Sequence, residues 1–241
     1  MTENMTEKIY LSDSYVKEFD AKVVASQGNT VLLSRTAFFP GGGGQPFDTG
    51  TLETNGVEYK VVETRKEGEE VLHVLEQADQ LGIGSGVHGK LDWSKRYMHM
   101  RLHTAIHIID GVVEKEKRGS ITGGQIYDDR ARVDFDIPGL DKTAVLDILG
   151  RAQKVVDSGV RVYPKVLTKE EALATDNLSR TEPGRELMSK LNEIRTIVIE
   201  GFDAQMDGGT HVSNTKEVGK ITLFKYENKG SHNKRIEIKL E

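Results

Sequence analysis

The sequence predicts an α+β protein: a small β-barrel-like domain over residues 1–91, followed by a mixed α/β domain with mostly antiparallel sheet over 92–241. Three observations carry this expectation. Short β-rich segments separated by turn signals fill the first ninety or so residues, the apolar spacing turns helical at Asp92, and 241 residues exceed the usual single domain.

Within the first part, Ala21–Ala25, Thr30–Ser34, Val57–Glu63 and Val71–Leu75 read as strands, punctuated by Gln27-Gly28-Asn29 and Asn55-Gly56. Between them runs Thr36-Ala-Phe-Phe-Pro-Gly-Gly-Gly-Gly-Gln-Pro-Phe-Asp-Thr-Gly50. Four consecutive glycines give either a backbone that approaches another surface closely or a flexible connection. The segment lacks the Lys-Ser/Thr ending of a phosphate-binding loop, which excludes a nucleoside triphosphate site of that kind.

Asp92 is placed to cap a helix over Trp93–Lys115, with Met98, Leu102, Ala105, Ile109 and Val112 along its apolar side. A turn is expected at Gly123-Gly124, a strand at Ala131–Phe135, a helix at Lys142–Val156 and a strand at Val160–Leu167. Thr168 and Glu171 fit a capping box that opens a short helix. Arg185–Leu191 reads as helix and Arg195–Glu200 as strand. A closing hairpin pairs Lys220–Tyr226 with Arg235–Leu240.

A net charge of −5 argues against a sequence-blind polyanion binder, since such binding rests on many Lys/Arg contacts to phosphate. Two basic clusters, Lys115/Lys117/Arg118 and Lys225/Lys229/Lys234/Arg235, read first as solvated surface charge. The absence of cysteine excludes disulfides and thiol nucleophiles, so any metal must be held by nitrogen and oxygen. The polar start Met1–Lys8 and the lack of a long apolar run point to a cytoplasmic protein with no membrane span.

The chemistry concentrates in two motifs. His103-Thr-Ala-Ile-His107 puts two imidazoles one helical turn apart on one face, and Asp207-Gly-Gly-Thr-His211 offers a carboxylate and a third imidazole from a glycine loop. Alone, a histidine pair on an apolar helix is more often packed or solvated than metal-bound. The second motif changes that, because glycines beside two donors let both aim at one point. Three nitrogens and one oxygen suit one zinc ion per chain. No glutamate follows His103, so this is not the HExxH arrangement of a metalloprotease.

These motifs, with Phe-Phe-Pro-Gly-Gly-Gly-Gly-Gln-Pro at 38–46 and Val212-Ser-Asn-Thr-Lys-Glu-Val-Gly219 after His211, resemble free-standing alanyl-tRNA editing proteins of the AlaX type, and so the editing domain of alanyl-tRNA synthetase. The resemblance runs from about Ser12 to Glu227–Gly230. It implies a trans-editing hydrolase that removes serine, or glycine, from the acceptor end of alanine tRNA. A synthetase pocket rejects poorly a near-isostere that merely adds a hydroxyl, so a second hydrolytic site must supply the discrimination.

By the same resemblance His103, His107, Asp207 and His211 are the metal ligands, with Asp207 standing where the family pattern has cysteine. Thr36 occupies the position of a threonine associated with serine recognition. It joins Gln45, His103 and His107 as a catalytic candidate. Gln45 with the amides of Gly42, Gly43 and Gly44 is placed to orient the ester or terminal adenosine, and Gln205 to support the ligands from behind. Lys225, Lys229 and Arg235 are the candidates for RNA contact. Two other readings compete: an editing module of the threonyl-tRNA synthetase kind, and a non-catalytic RNA-binding module with a decayed metal site.

Overall fold

Alternation of buried and exposed residues along the N-terminal strands closes a barrel. The computed structural model describes residues 6–77, 81–116, 119–180, 182–230 and 233–241, with backbone alone at 182 and 183, so Lys117 and Arg118 of the first basic cluster lie outside the described residues. The chain divides into two compact units, Met1–Tyr97 and Met98–Glu241.

The first unit contains β1 (Glu7–Lys8), α1 (Ile9–Ser12), β2 (Glu18–Gln27), β3 (Thr30–Leu33), β4 (Arg35–Thr36), β5 (Gly50–Thr54), β6 (Val57–Glu67), β7 (Glu70–Leu75) and β8 (Gly86–Leu91). Six of them form a closed barrel in the order β2-β3-β7-β6-β5-β8, with every neighbouring pair antiparallel. Period-two burial in β7 and β8 sends Val71, Leu75, Val87 and Leu91 inward. Asn55 and Gly56, at φ 51° and 75°, make the tight β5–β6 turn that the Asn-Gly pair predicts. Gly89 is required by packing, because a Cβ there would lie 2.6 Å from the Phe19 ring.

The helix α2 (Trp93–Lys115) contains the division between the units. Asp92 caps it as expected, its Oδ1 accepting from Lys95 N at 3.2 Å. Leu102, Ala105, Ile109 and Val112 are buried. Next come β9 (Ser120–Ile126), β10 (Ala131–Asp136), α3 (Lys142–Ser158), β11 (Val162–Thr168), α4 (Lys169–Leu173), α5 (Glu182–Lys190), β12 (Glu193–Ile199), β13 (Asp203–Met206), β14 (Ile221–Asn228) and β15 (Lys234–Leu240). They form two antiparallel sheets, ordered β14-β15-β10-β9 and β11-β12-β13. The fold is thus α+β, a six-stranded antiparallel barrel followed by helices and antiparallel sheets.

The Thr168/Glu171 capping box is present in full. Gly123 and Gly124 do not turn the chain: both lie inside β9, opposite Asp134 and Val133 of β10. A glycine pair reads as a turn in isolation, but here both residues are held extended by the ladder to β10. No helix among the described residues is long and apolar enough to cross a membrane.

Candidate metal centre

Helix periodicity brings the first two imidazoles together. His103 and His107 are buried one turn apart on α2, with ring centroids 4.9 Å apart and planes perpendicular. The β12–β13 hairpin approaches the same helix because Gly111 leaves room for the Phe202 ring, which would lie 2.6 Å from a Cβ there. Gln205 of β13 then donates through Nε2 to the His107 carbonyl at 3.2 Å and to Asp203 Oδ2 at 2.7 Å. Gln205 therefore braces the backbone of the helix at His107.

Beyond β13 the chain enters the Asp207–His211 loop, which Arg195 pins at its start. Asp207 N donates to the Arg195 carbonyl at 3.2 Å, and Arg195 Nη1 donates to the Asp207 carbonyl at 2.7 Å. Asp207 Oδ2 accepts from Gly209 N at 2.6 Å, folding the loop over its own carboxylate. His211 thereby stacks on His103, with centroids 4.2 Å apart, and lies 4.6 Å from His107.

The donor atoms of His103, His107, Asp207 and His211 all fall within 4.8 Å of one another. Asp207 Oδ2 lies 3.0 Å from His211 Nε2, and Oδ1 lies 3.6 Å from His103 Nε2. Zinc bonds of ~2.0–2.1 Å in a tetrahedron place neighbouring donors about 3.3 Å apart, between those two spacings. Burial pushes His103 down to about 3, and pushes His107 and His211 down as well. Burial alone would raise Asp207, yet His103 and His211 beside it hold its carboxyl well below the usual carboxylate range. Neutral imidazoles with an ionised carboxylate are the protonation states a cation requires. The buried Nδ1 of His107 has no hydrogen-bond partner, a further fit to a cation-binding cluster.

His99 stands apart from this cluster, its Nε2 2.9 Å from Asp128 Oδ1. At the C-terminal hairpin Lys225 and Lys229 are exposed and share Glu227, at 2.8 and 3.4 Å. Arg235 is held by both Asp134 oxygens, at 2.5 and 3.0 Å.

In the first unit the glycine segment is an ordered hairpin. Gly42 and Gln45 exchange backbone hydrogen bonds at 3.0 and 2.9 Å around Gly43 and Gly44, whose φ values of 60° and 85° belong to a type I′ turn. Its neck is closed by Phe39 N and O bonding Asp48, and Asp48 pairs with fully buried Arg96 at 2.6 Å. Arg96 also donates to the carbonyls of Ala37 and Ser14. Gln45 is buried, whereas Gly42 and Gly43 are exposed. Thr36 is fully buried, its Oγ1 2.8 Å from His73 Nε2 and accepting from Phe38 N at 3.1 Å.

Comparison with known proteins adds an independent line. Residues 2–95 match the family described as tRNA synthetases class II (A), and residues 194–237 match the threonyl and alanyl tRNA synthetase second additional domain. The alanyl-tRNA editing protein AlaX-M of Saccharolobus solfataricus is 40% identical over 234 residues, covering 96% of this chain and 98% of that protein. This chain belongs to the AlaX-M alanyl-tRNA editing protein family. The AlaX-M protein of Methanosarcina mazei is 38% identical, with 96% and 95% of the two chains covered. The alanine–tRNA ligase of Thermococcus kodakarensis is 36% identical over 92% of this chain but only 24% of its own length.

Several residues of this AlaX-M chain support the cluster without having stood out in the sequence. Thr104, inside the first motif, has Oγ1 3.1 Å from His211 Nδ1 and accepts from Val212 N at 3.3 Å. Arg180 bridges Asp110, one turn beyond His107, and Asp203, at 2.9 and 2.6 Å. Burial pushes Asp110 up to about 6, against the pull of Arg180. Spacing alone does not reveal such partners, because Thr104 and His211 are 107 residues apart.

Proposed function

We propose that this protein is a cytoplasmic aminoacyl-tRNA deacylase that hydrolyses the ester of mischarged Ser-tRNA(Ala), and of Gly-tRNA(Ala), with one zinc ion held by His103, His107, Asp207 and His211. The observation that carries the reading is the convergence of these four buried donors, in metal-ready protonation states, within an AlaX-M chain. When bound, the metal supplies Lewis acidity to the ester carbonyl or to water. Three neutral imidazoles and one carboxylate leave a dication with net positive charge, which suits a developing oxyanion.

The remaining roles follow from the chain's own groups. Of the glycine hairpin's amides, Gly42 N is already given to the Gln45 carbonyl, which leaves exposed Gly43 as a donor for an RNA backbone, and Gln45 sets the hairpin's end. Thr36, with its hydroxyl enclosed, acts as a positioning residue for the segment that leads into the hairpin. Gln205 holds the His107 turn of the helix. Lys225 and Lys229 of the C-terminal hairpin, exposed and sharing Glu227, are the candidates for phosphate contact, and Arg235 keeps the adjoining strands in register through Asp134.

The test is deacylation of Ser-tRNA(Ala), Ala-tRNA(Ala) and Ser-tRNA(Ser), with metal content determined on the same sample. The expected result is cleavage of Ser-tRNA(Ala) alone and one zinc per chain. Intact Ser-tRNA(Ala) with zinc bound refutes the enzyme reading.

A further inference from the structure

The segment between α4 and α5 is tied to both parts of the chain that supply the metal donors. Leu178 is buried in a small core with Leu167, Ala172 and Ile194, and its carbonyl accepts from Met206 N at 2.7 Å, directly before Asp207. Asn177, in the left-handed conformation at φ 56°, donates through Nδ2 to Glu114 Oε1 of α2 at 2.8 Å. The segment is thus anchored both to the end of β13 and to the helix that carries His103 and His107.

Arg180 completes this bridge. Its Nη2 donates to Asp203 Oδ1 at 2.6 Å, and its Nη1 lies 2.9 Å from Asp110 Oδ2, one turn beyond His107. Asp203 divides its oxygens, because Oδ2 accepts from Gln205 Nε2 at 2.7 Å, and the same amide nitrogen donates to the His107 carbonyl at 3.2 Å. Asp203 Oδ2 also packs on the α2 backbone, 3.0 Å from where a Cβ of Gly111 would stand. The side chains of Arg180, Asp203 and Asp110 are only 10%, 11% and 13% exposed, so solvent screens these contacts weakly. A guanidinium suits the place, since its rigid fork reaches two carboxylates at once, which the single point of an ammonium does not. Without it Asp110 and Asp203 repel one another, and Asp203 loses the hold that directs Oδ2 to Gln205.

We propose that Arg180 is a positioning residue for the metal centre: through Asp203 and Gln205 it fixes the turn of α2 that carries His107, and so sets where that imidazole stands relative to Asp207. The proposal rests on the metal-site reading above and gives a role to a residue outside the four donors.

The test uses the full chain with zinc or cobalt(II) alone as the probe. Zinc affinity is read by competition with a chromophoric chelator, and the visible bands of the cobalt-loaded protein report ligand geometry. Arg180→Lys keeps the charge and loses the fork; it is expected to weaken zinc binding about tenfold, at the low end for outer partners of metal ligands, and to shift the cobalt bands. Gln205→Ala is expected to do the same. Because both act along one path, the double variant is expected to lose about tenfold and not about a hundredfold. Arg151→Lys alters an arginine of the same unit that pairs with Glu116 and Asp147, and is expected to bind zinc as the wild type does. If Arg180→Lys does not fold, Asp203→Asn carries the same expectation, since its amide sets a donor against the Gln205 donor while keeping the shape.

Arg180→Lys with wild-type zinc affinity and unshifted cobalt bands overturns the positioning role and leaves the metal site standing. Additive losses in the double variant, or an equal loss in Arg151→Lys, also overturn it, because they point to general loosening. Wild-type protein that takes up neither metal refutes the metal-site reading itself.

Discussion

Thr104→Val tests whether the cluster works as a metal site or only as a packed group of histidines. The Thr104 hydroxyl accepts from Val212 N at 3.3 Å and lies 3.1 Å from His211 Nδ1. With a cation bound, Thr104 Oγ1 accepting from Nδ1–H would leave the His211 Nε2 lone pair, which otherwise faces Asp207 Oδ2 at 3.0 Å, free for the cation. Valine keeps the volume and removes both hydrogen bonds. A buried donor left unsatisfied costs about 1–3 kcal/mol, so the melting temperature should fall by several degrees. Removal of the partner of a ligating imidazole should also cost about 10–100-fold in metal affinity. Competition with a chromophoric zinc chelator measures the affinity, and Thr104→Ser, which restores the hydroxyl, should recover it. A Thr104→Val protein of wild-type zinc affinity, whatever its stability, refutes the role assigned to His211 and its orienting hydroxyl.

Two further outcomes concern the barrel. Asp48→Ala leaves Arg96 buried without its carboxylate, and breaking one partner of a buried pair costs about 3–5 kcal/mol; urea unfolding should show it, and an unshifted midpoint contradicts the clamp. For His73, burial lowers the imidazole from 6.5 to about 4. The unfolded chain therefore takes the proton first as pH falls, and stability declines between pH 6.5 and 4 by about 3 kcal/mol in all. His73→Gln should flatten that part of the stability–pH curve, and parallel curves for the two proteins would count against the assignment.

Local signals in the sequence carried well where the deciding interaction is also local. Asp92 caps α2 three residues on, Thr168 and Glu171 close a capping box, and Asn55-Gly56 turns a hairpin. The four donors were readable for the same reason: each pair is fixed by a spacing of four within one short segment. Gly123-Gly124 misled because a glycine pair's conformation depends on its neighbours across the sheet, here Asp134 and Val133. The glycine hairpin was ambiguous between order and flexibility until the Gly42–Gln45 bonds and the Arg96–Asp48 pair at its neck gave it a shape. Arg195, Arg180 and Thr104 carry no motif of their own, and each acts on residues brought near only by folding.

Asp207 illustrates how a loop holds a carboxylate donor in place. A thiolate offers one sulfur, whereas a carboxylate offers two oxygens that can be used separately. Oδ2 is anchored by Gly209 N and faces His211, while Oδ1 faces His103 from 3.6 Å. The loop thus positions the carboxylate by a hydrogen bond that does not depend on a metal, and Arg195 fixes the backbone beneath it. The charge offered to a cation is the same single negative charge that cysteine would bring. Oxygen is the harder donor, so this cluster should be less biased toward thiophilic ions than a cysteine-bearing one. The prearranged Oδ2 explains how an aspartate can stand at this position without disturbing the three imidazoles, because the geometry is set by the loop and by Thr104, not by the identity of the fourth donor alone.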